Sequence, residues 1–398
     1  MENNKKMSLA LLILAVSAFC IGTTEFISVG LLPDIAKTFN IGIEVASITV
    51  SGYAIGVAFG APILTMLTNK INRKKLLLLL MFLFILGNIV VTISPNFYIL
   101  MIARILTAFA HGLFFSIAGV IASELVSEHK KASAISMVFT GLTVATITGV
   151  PIGTYIGNRL NWRISFLLIT ILGIIASIAI IAILPNNLNN PSNEISLKQL
   201  KILKNKRVAG IYIATILGYG GTFVMYTYVS EIIEKVMHFS SNYVSIILLF
   251  YGIALAIGNY IGGKLANKNT LKALSIMFLA QSIFMILLTV FMNNKILGLI
   301  SLLLLGIFAF MNVPGLQHYV IKVSNEEFPE ASNFASSISI SSFNIGIFIA
   351  SAVGAEIVKH ISLRITSVIG ALFVILAFVT ILFLITMEKK LKNKCLAS

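Results

Sequence analysis

Three ionisable side chains fall deep inside apolar runs of this chain. Glu25 interrupts "AVSAFCIGTTEFISVGLLPDIA", and Arg104 and His111 share "RILTAFAHGLFF". An ionised side chain near the centre of a bilayer costs at least ~2.5–3.5 kcal/mol, so an acid in such a place is a functional hypothesis by default. At a helical rise of ~1.5 Å per residue, Glu25 sits about 13 Å and Arg104 about 12 Å below the outer boundary, and His111 roughly 10 Å further in. An acid and a guanidinium at equal depth suggest a proton switch. Desolvation and a neighbouring cation pull a carboxyl's proton affinity in opposite directions, and arginine stays charged throughout, so only the glutamate titrates. A static ion pair between two helices is the competing reading. Asp34, after Pro33 at the outer boundary, can stay hydrated and fits a rim better than the coupling step. His111 suits proton relay, with helix packing or substrate contact as equal alternatives.

Positioning these residues takes membrane-spanning helices. Of 398 residues, 58% are apolar and 11% charged, and the mean hydropathy is +0.99. Soluble domains carry roughly 25% charged residues, so the composition is that of a polytopic membrane protein. Cys20 and Cys395 are far apart and form no CxxC or metal spacing. The sequence has no P-loop, no GxGxxG after a strand, no HExxH and no GxSxG. Catalysis is not expected, and neither is a metal.

A span needs ~20 mostly apolar residues. About twelve runs qualify, near 8–33, 43–68, 75–94, 96–123, 132–157, 162–184, 208–230, 242–266, 271–292, 296–321, 332–357 and 363–386. With the N-terminus inside, most of the 29 Lys and Arg fall in cytoplasmic segments. This positive-inside bias puts both termini in the cytoplasm. It also accounts for the net charge of +15 without a nucleic-acid partner. "SAFC" hints at a lipoprotein cleavage box, but Phe19 is too large for the residue preceding a lipidated cysteine and the apolar run continues, so the segment reads as a span.

Residues 185–207, "PNNLNNPSNEISLKQLKILKNKR", are a polar linker between a six-span bundle at 1–184 and another at 208–398. Its second part starts with a capping box, Ser196 to Gln199, and aligns Leu197, Leu200 and Leu203. An interfacial helix and a flexible basic linker both fit. The halves echo each other. "LTNK" ends the second run and "LANK" the eighth, with Gly60 nine positions before Asn69 and Gly258 nine before Asn267, an offset of 198. Duplicated six-span units are the pattern of secondary transporters, whose sites lie between the repeats.

Four stretches, "GTTEFISVGLLPDIA", "RILTAFAHGLFF", "GLTVATITGVPIGTYIGNRLNWR" and "GNYIGGKLANK", resemble the major facilitator superfamily. Within it they resemble the twelve-helix drug:proton antiporters, in the branch of arabinose-efflux and purine-efflux permeases. The resemblance implies an all-α polytopic membrane protein with twelve transmembrane helices in two pseudo-symmetric six-helix bundles. It also implies that the first and fourth helices line a central cavity. In that family the loop between helices 2 and 3 latches the cytoplasmic side through charge pairs. Here "TMLTNKINRKK" has Asn69 in place of the acid, Lys70 for the first arginine and Asn72 for the glycine, while Arg73 keeps its place. Glu124 is the expected partner of Arg73, and Asn267 marks the equivalent loop of the second half. Solvated charges contributing little are the alternative. "GVPIGTYIG" resembles the antiporter signature of the fifth helix, carried by Gly149, Pro151, Gly153 and Gly157, with Val150 splitting the Gly-Pro pair.

The second half offers no charge at mid-membrane, but Tyr219, Tyr226 and Tyr228, Asn312 and Gln317 around Pro314, and Asn344 suit loose recognition of an amphipathic or moderately polar molecule. The expectation is a proton-driven exporter of small molecules in a bacterial cytoplasmic membrane. Its partners are membrane lipids, a small-molecule substrate and protons; it works as a monomer and without a cofactor. A proton-linked sugar, nucleoside or metabolite permease is the first alternative, and a transporter-like sensor the second.

Overall fold

The computed structural model describes residues 2–68, 71–126, 131–186, 202–266, 269–328 and 332–397. It contains twelve helices long and apolar enough to cross a membrane, and no strand among the described residues. In chain order they are α1 (Glu2–Gly30), α2 (Ile48–Thr68), α3 (Arg73–Ile93), α4 (Phe97–Glu124) and α5 (Lys131–Val144 continued by Val150–Arg159). Then come α6 (Trp162–Ile183), α7 (Lys206–Tyr226), α8 (Val244–Ala266) and α9 (Thr270–Phe291). The last are α10 (Lys295–Ala309 and Val313–Glu327), α11 (Ser332–His360) and α12 (Ile365–Ala397). Large apolar side chains such as Phe82, Ile178, Phe250 and Phe383 stay exposed on the outer faces, as a hydrocarbon solvent requires.

Asparagines fix where many of these helices begin. The side chains of Asn72, Asn96, Asn161, Asn205, Asn269 and Asn294 accept from first-turn amides of α3, α4, α6, α7, α9 and α10. Those amides have no intrahelical acceptor, and in a chain with few charges a short neutral cap supplies one.

Several expected spans are broken. The first run stops at Gly30, and a separate short helix, Leu32–Phe39, carries Asp34 with Pro33 in its first turn. Proline lacks the N–H that a continuous helix would use there. The seventh run stops at Tyr226 and gives way to Val229–Glu231 and a π-helical turn, Ile232–Val236. The tenth is interrupted at Phe310–Asn312, just before Pro314. The fifth winds into a π-turn at Ala145–Gly149. Of the linker, 187–201 lie outside the described residues, and so does most of the helix expected at 196–203.

The chain divides into two compact units, Met1–Glu194 with Ser240–Leu249 and Ile195–Phe239 with Phe250–Ser398. The first turns of α8 thus group with the first unit, a division that a boundary at 208 does not capture. Internal packing is repeated. The neighbours α1–α5, α1–α6, α3–α4 and α3–α6 in the first unit recur as α7–α11, α7–α12, α9–α10 and α9–α12 in the second. Among the described residues the non-glycine positions with positive φ are Asn40 at 51° and His238 at 57°, separated by the same offset that relates the caps Asn96 and Asn294.

Candidate functional site

Arg104 and His111 are seven residues apart on α4, two turns along one face. Arg104 is fully buried. Its guanidinium is held by main-chain carbonyls: Nη1 donates to Thr24 O at 2.6 Å, Nη2 to Glu25 O at 3.4 Å, and Nη2 and Nε to Thr49 O at 3.2 and 3.3 Å. The ring of Tyr53 on α2 lies beneath it, 4.1 Å from Cζ to the centroid. Arginine's fixed fork suits this cage, and its weak hydration keeps the cost of burial low for a cation.

The Glu25 side chain turns elsewhere. Its Oε2 lies 4.0 Å from His111 Nδ1, and the Tyr53 hydroxyl lies 3.1 Å from the same nitrogen. Among the described residues the Glu25 carboxylate makes no ion pair with Arg104. The expected carboxylate–guanidinium pair is therefore corrected: Arg104 meets Glu25 through the main chain, and His111 faces the acid. The cause is local, because carbonyls of α1 and α2 already engage all three guanidinium nitrogens. His111 Nδ1 lies within ion-pair reach of Glu25 when the ring is protonated, and when that nitrogen carries no proton it can accept from the Tyr53 hydroxyl. Thr24 also donates to Asn88 Oδ1 of α3 at 3.4 Å.

Asp34 is half-buried on its short helix. With the Asn158 amide oriented to satisfy its neighbours, Nδ2 donates to Asp34 Oδ2 at 2.7 Å and to Thr154 O at 3.2 Å. Burial pushes the Asp34 carboxyl above the usual carboxylate range, and Lys37 draws it partly back.

Around α5, small residues let helices touch. A Cβ on Gly149, Gly153 or Gly157 would run into Thr23, Ile27 or Leu31 respectively. Pro151 is separated from the π-turn by one residue, so the loosened ladder, the missing N–H and the close α1 contact lie side by side.

Arg73 donates to the Glu124 carboxylate, joining α3 to the end of α4. Asn69 and Asn267 lie outside the described residues. Two features here escape sequence reasoning. Asn72 caps α3 and donates to Asn186 O. Lys74 is buried, and its Nζ donates to Ile181 O at 3.0 Å, Leu184 O at 2.5 Å and Asn186 Oδ1 at 2.8 Å, closing the C-terminus of α6. In the second unit Arg207 gathers Glu326, Glu327 at 2.8 Å and Glu388 at 2.8 Å, and Tyr319 also donates to Glu388. The acid pair in "NEEF" and the lone acid of "MEKK" were the available signal.

The expected recognition residues of the second unit divide. Tyr219 lies among Phe223, Phe310 and Phe343 at centroid distances of 5.2, 5.2 and 4.8 Å. Tyr226 follows Phe223 at 5.4 Å. Asn344 is buried and donates to Ile340 O of its own helix. Asn312 is buried in the α10 break and donates to Gln281 Oε1 at 2.9 Å, and Gln281 donates to Thr222 Oγ1 at 2.7 Å. Gln281 was not anticipated. Tyr228 is packed into the α7–α11 joint, donating to Ser351 O, and Gln317 is partly exposed on the last part of α10.

Twelve spanning helices in two repeated units, with a buried acid–histidine–arginine group in the first, define a membrane transporter of the secondary type. Residues 14–330 match the family model described as Major Facilitator Superfamily, and the chain belongs to that superfamily. It is 49% identical over 387 residues to YtbD, an MFS-type transporter of Bacillus subtilis (strain 168), covering 97% of this chain and 98% of that protein. It is 36% identical over 394 residues to the inner membrane transport protein YdhP of Escherichia coli (strain K12), covering 99% and 100%. A "Probable sugar efflux transporter" of Helicobacter pylori (strain G27) is 32% identical over 380 residues, 95% of each chain. The fold resembles a bacterial homologue of the lysosomal transporter Spinster, with TM-score 0.78, 13% identity and coverage of 95% and 97%. It also resembles the xylose transporter XylE of E. coli, with TM-score 0.75, 17% identity and coverage of 94% and 97%. The protein is a multi-pass membrane transporter and not an enzyme.

Proposed function

We propose that the chain is a proton-coupled exporter of small molecules, working by alternating access in a bacterial cytoplasmic membrane with both termini inside. The proton gradient drives it with no cofactor. The observation that carries the reading is the Glu25 carboxylate facing His111 Nδ1 while Tyr53 shares that nitrogen. Arg104 keeps a fixed positive charge beside them, so adding or removing one proton changes the group's net charge and with it the preferred state of α1 against α4. Each ligand shifts the two access states only by its differential affinity for them. A proton bound from outside and a substrate bound from inside therefore exchange when each favours the opposite state. The aromatic and amide residues of the second unit supply recognition, and the helicobacter relative named for sugar efflux favours hydroxylated cargo as the specific class.

The test is flux in oriented proteoliposomes. Wild type should move protons when substrate is added, and Glu25→Gln should bind substrate yet move none. A Glu25→Gln variant that still drives substrate uphill against a pH gradient refutes coupling at this residue.

A further inference from the structure

Tyr53 and Tyr251 are related by the offset of 198 that relates the other equivalent positions of the two halves. Each packs on the facing helix at another equivalent pair: Tyr53 clusters with Ala108 of α4, and a Cβ on Gly306 of α10 would meet the Tyr251 ring at 3.0 Å. Their partners then diverge. Tyr53 carries Arg104 on its ring and bonds His111 through its hydroxyl. The equivalent positions of α10 are Leu302 and Ala309, both buried and apolar. Tyr251 is 1% exposed, and its ring stacks on Tyr226 at 5.4 Å and 18°. Among the described residues its hydroxyl has no hydrogen-bond partner. Phenylalanine would fill the same space without burying an unpaired group, so the hydroxyl needs an explanation.

Two more orphans lie in the same unit. Asn312 and Asn344 commit their amide nitrogens to Gln281 and Ile340, and their Oδ1 atoms are buried without partners among the described residues. A seam of rings runs through this unit, in which Phe343 touches Tyr219 and Tyr219 touches Phe310. From Tyr219 the contacts continue through Phe223 and Tyr226 to Tyr251. No carboxylate is among the seam residues. A buried charged amine would have no counter-ion there, whereas hydroxyl groups offer both donors and acceptors.

We propose that Tyr251 is a recognition residue for the transported molecule, and that this molecule is uncharged and hydroxylated, bonding the Tyr251 hydroxyl with its apolar face against Tyr226. The proposal rests on the transport and cargo reading above and adds that the cargo is uncharged and that a residue on α8 recognises it.

Tyr251→Phe removes one oxygen and keeps the ring. Purified Tyr251→Phe without ligand should melt at or above the wild-type temperature. A drop of several degrees shows that the hydroxyl is already paired and overturns the proposal. Flux in proteoliposomes is then compared for D-xylose, L-arabinose and tetraphenylphosphonium, a cation with no hydrogen-bonding group. Tyr251→Phe should slow the sugars about three- to tenfold, the loss of one hydrogen bond, and leave the cation unchanged. Equal sugar flux in the two proteins overturns the role of Tyr251 while leaving the transporter reading intact. A wild type that moves the cation but neither sugar overturns the cargo class. A wild type that moves no probe refutes the exporter reading and the cargo class with it.

Discussion

Glu25 and His111 face each other across 4.0 Å between α1 and α4, and Arg104, two turns from His111, reaches Glu25 only through its main-chain carbonyl. In the proposed cycle the acid exchanges its proton without breaking an ion pair with Arg104, whose bonds to the carbonyls of α1 and α2 do not depend on the acid's state. That separation of duties, one group titrating and one fixed, is what a coupled cycle needs.

Replacing Glu25 by Gln keeps a polar side chain of the same reach but removes the titrating carboxyl. Substrate affinity should then lose its dependence on pH. Couplings between two ligands run at about 1–3 kcal/mol, ~5–150-fold in affinity, so the wild-type shift between mildly acidic and mildly alkaline buffer should shrink from that range towards none. Binding measured across the pH series checks this, with Tyr53→Phe as companion. Tyr53→Phe should move the profile without flattening it, because Tyr53 bonds the ring that faces the Glu25 carboxyl and is not the carrier.

How far the sequence carries the reader differs from residue to residue. The twelve spans were legible because hydrocarbon demands long apolar runs and leaves little room for other patterns. Arg104 shows the limit. Its depth on α4 could be counted, but its partners are the carbonyls of Thr24 and Thr49, and a backbone acceptor leaves no mark in a sequence. The residues of the α10 break were noticed around Pro314, yet the bond from Asn312 to Gln281 joins side chains whose meeting depends on how α9 and α10 pack. Tyr251 was invisible for the opposite reason: what distinguishes it is a partner it lacks.

Lys74 offers a test of the fold rather than of transport. Its ammonium closes the end of α6 by bonding two main-chain carbonyls and the Asn186 side chain, groups a helix leaves unsatisfied at its C-terminus. Lys74→Met keeps most of the apolar stem and removes every donor. The buried Leu184 carbonyl then loses its partner, at a cost of about 1–3 kcal/mol. Thermal unfolding in detergent should register this as a clear drop, and Lys75→Met, one residue along and exposed, should change little. Equal effects from the two would show that net charge and not the cap is responsible.

Asp34 supplies a pH dependence whose sign is fixed. It sits on the short helix beyond the spanning part of α1, and burial raises its carboxyl above the ordinary range, with Lys37 pulling in the opposite direction. The folded protein thus holds this proton more tightly than the unfolded chain. The resulting stability is complete below the ordinary aspartate value of about 3.9 and is lost as pH rises through the folded value. Asp34→Asn has no proton to release and can still accept from Asn158 through its amide oxygen. The melting temperature of wild type, relative to this variant, should therefore fall as pH climbs from about 4. Lys37→Gln removes the opposing charge, raises the carboxyl further and should extend the fall to higher pH. Parallel melting curves for wild type and Asp34→Asn across the series would show that burial does not perturb this carboxyl.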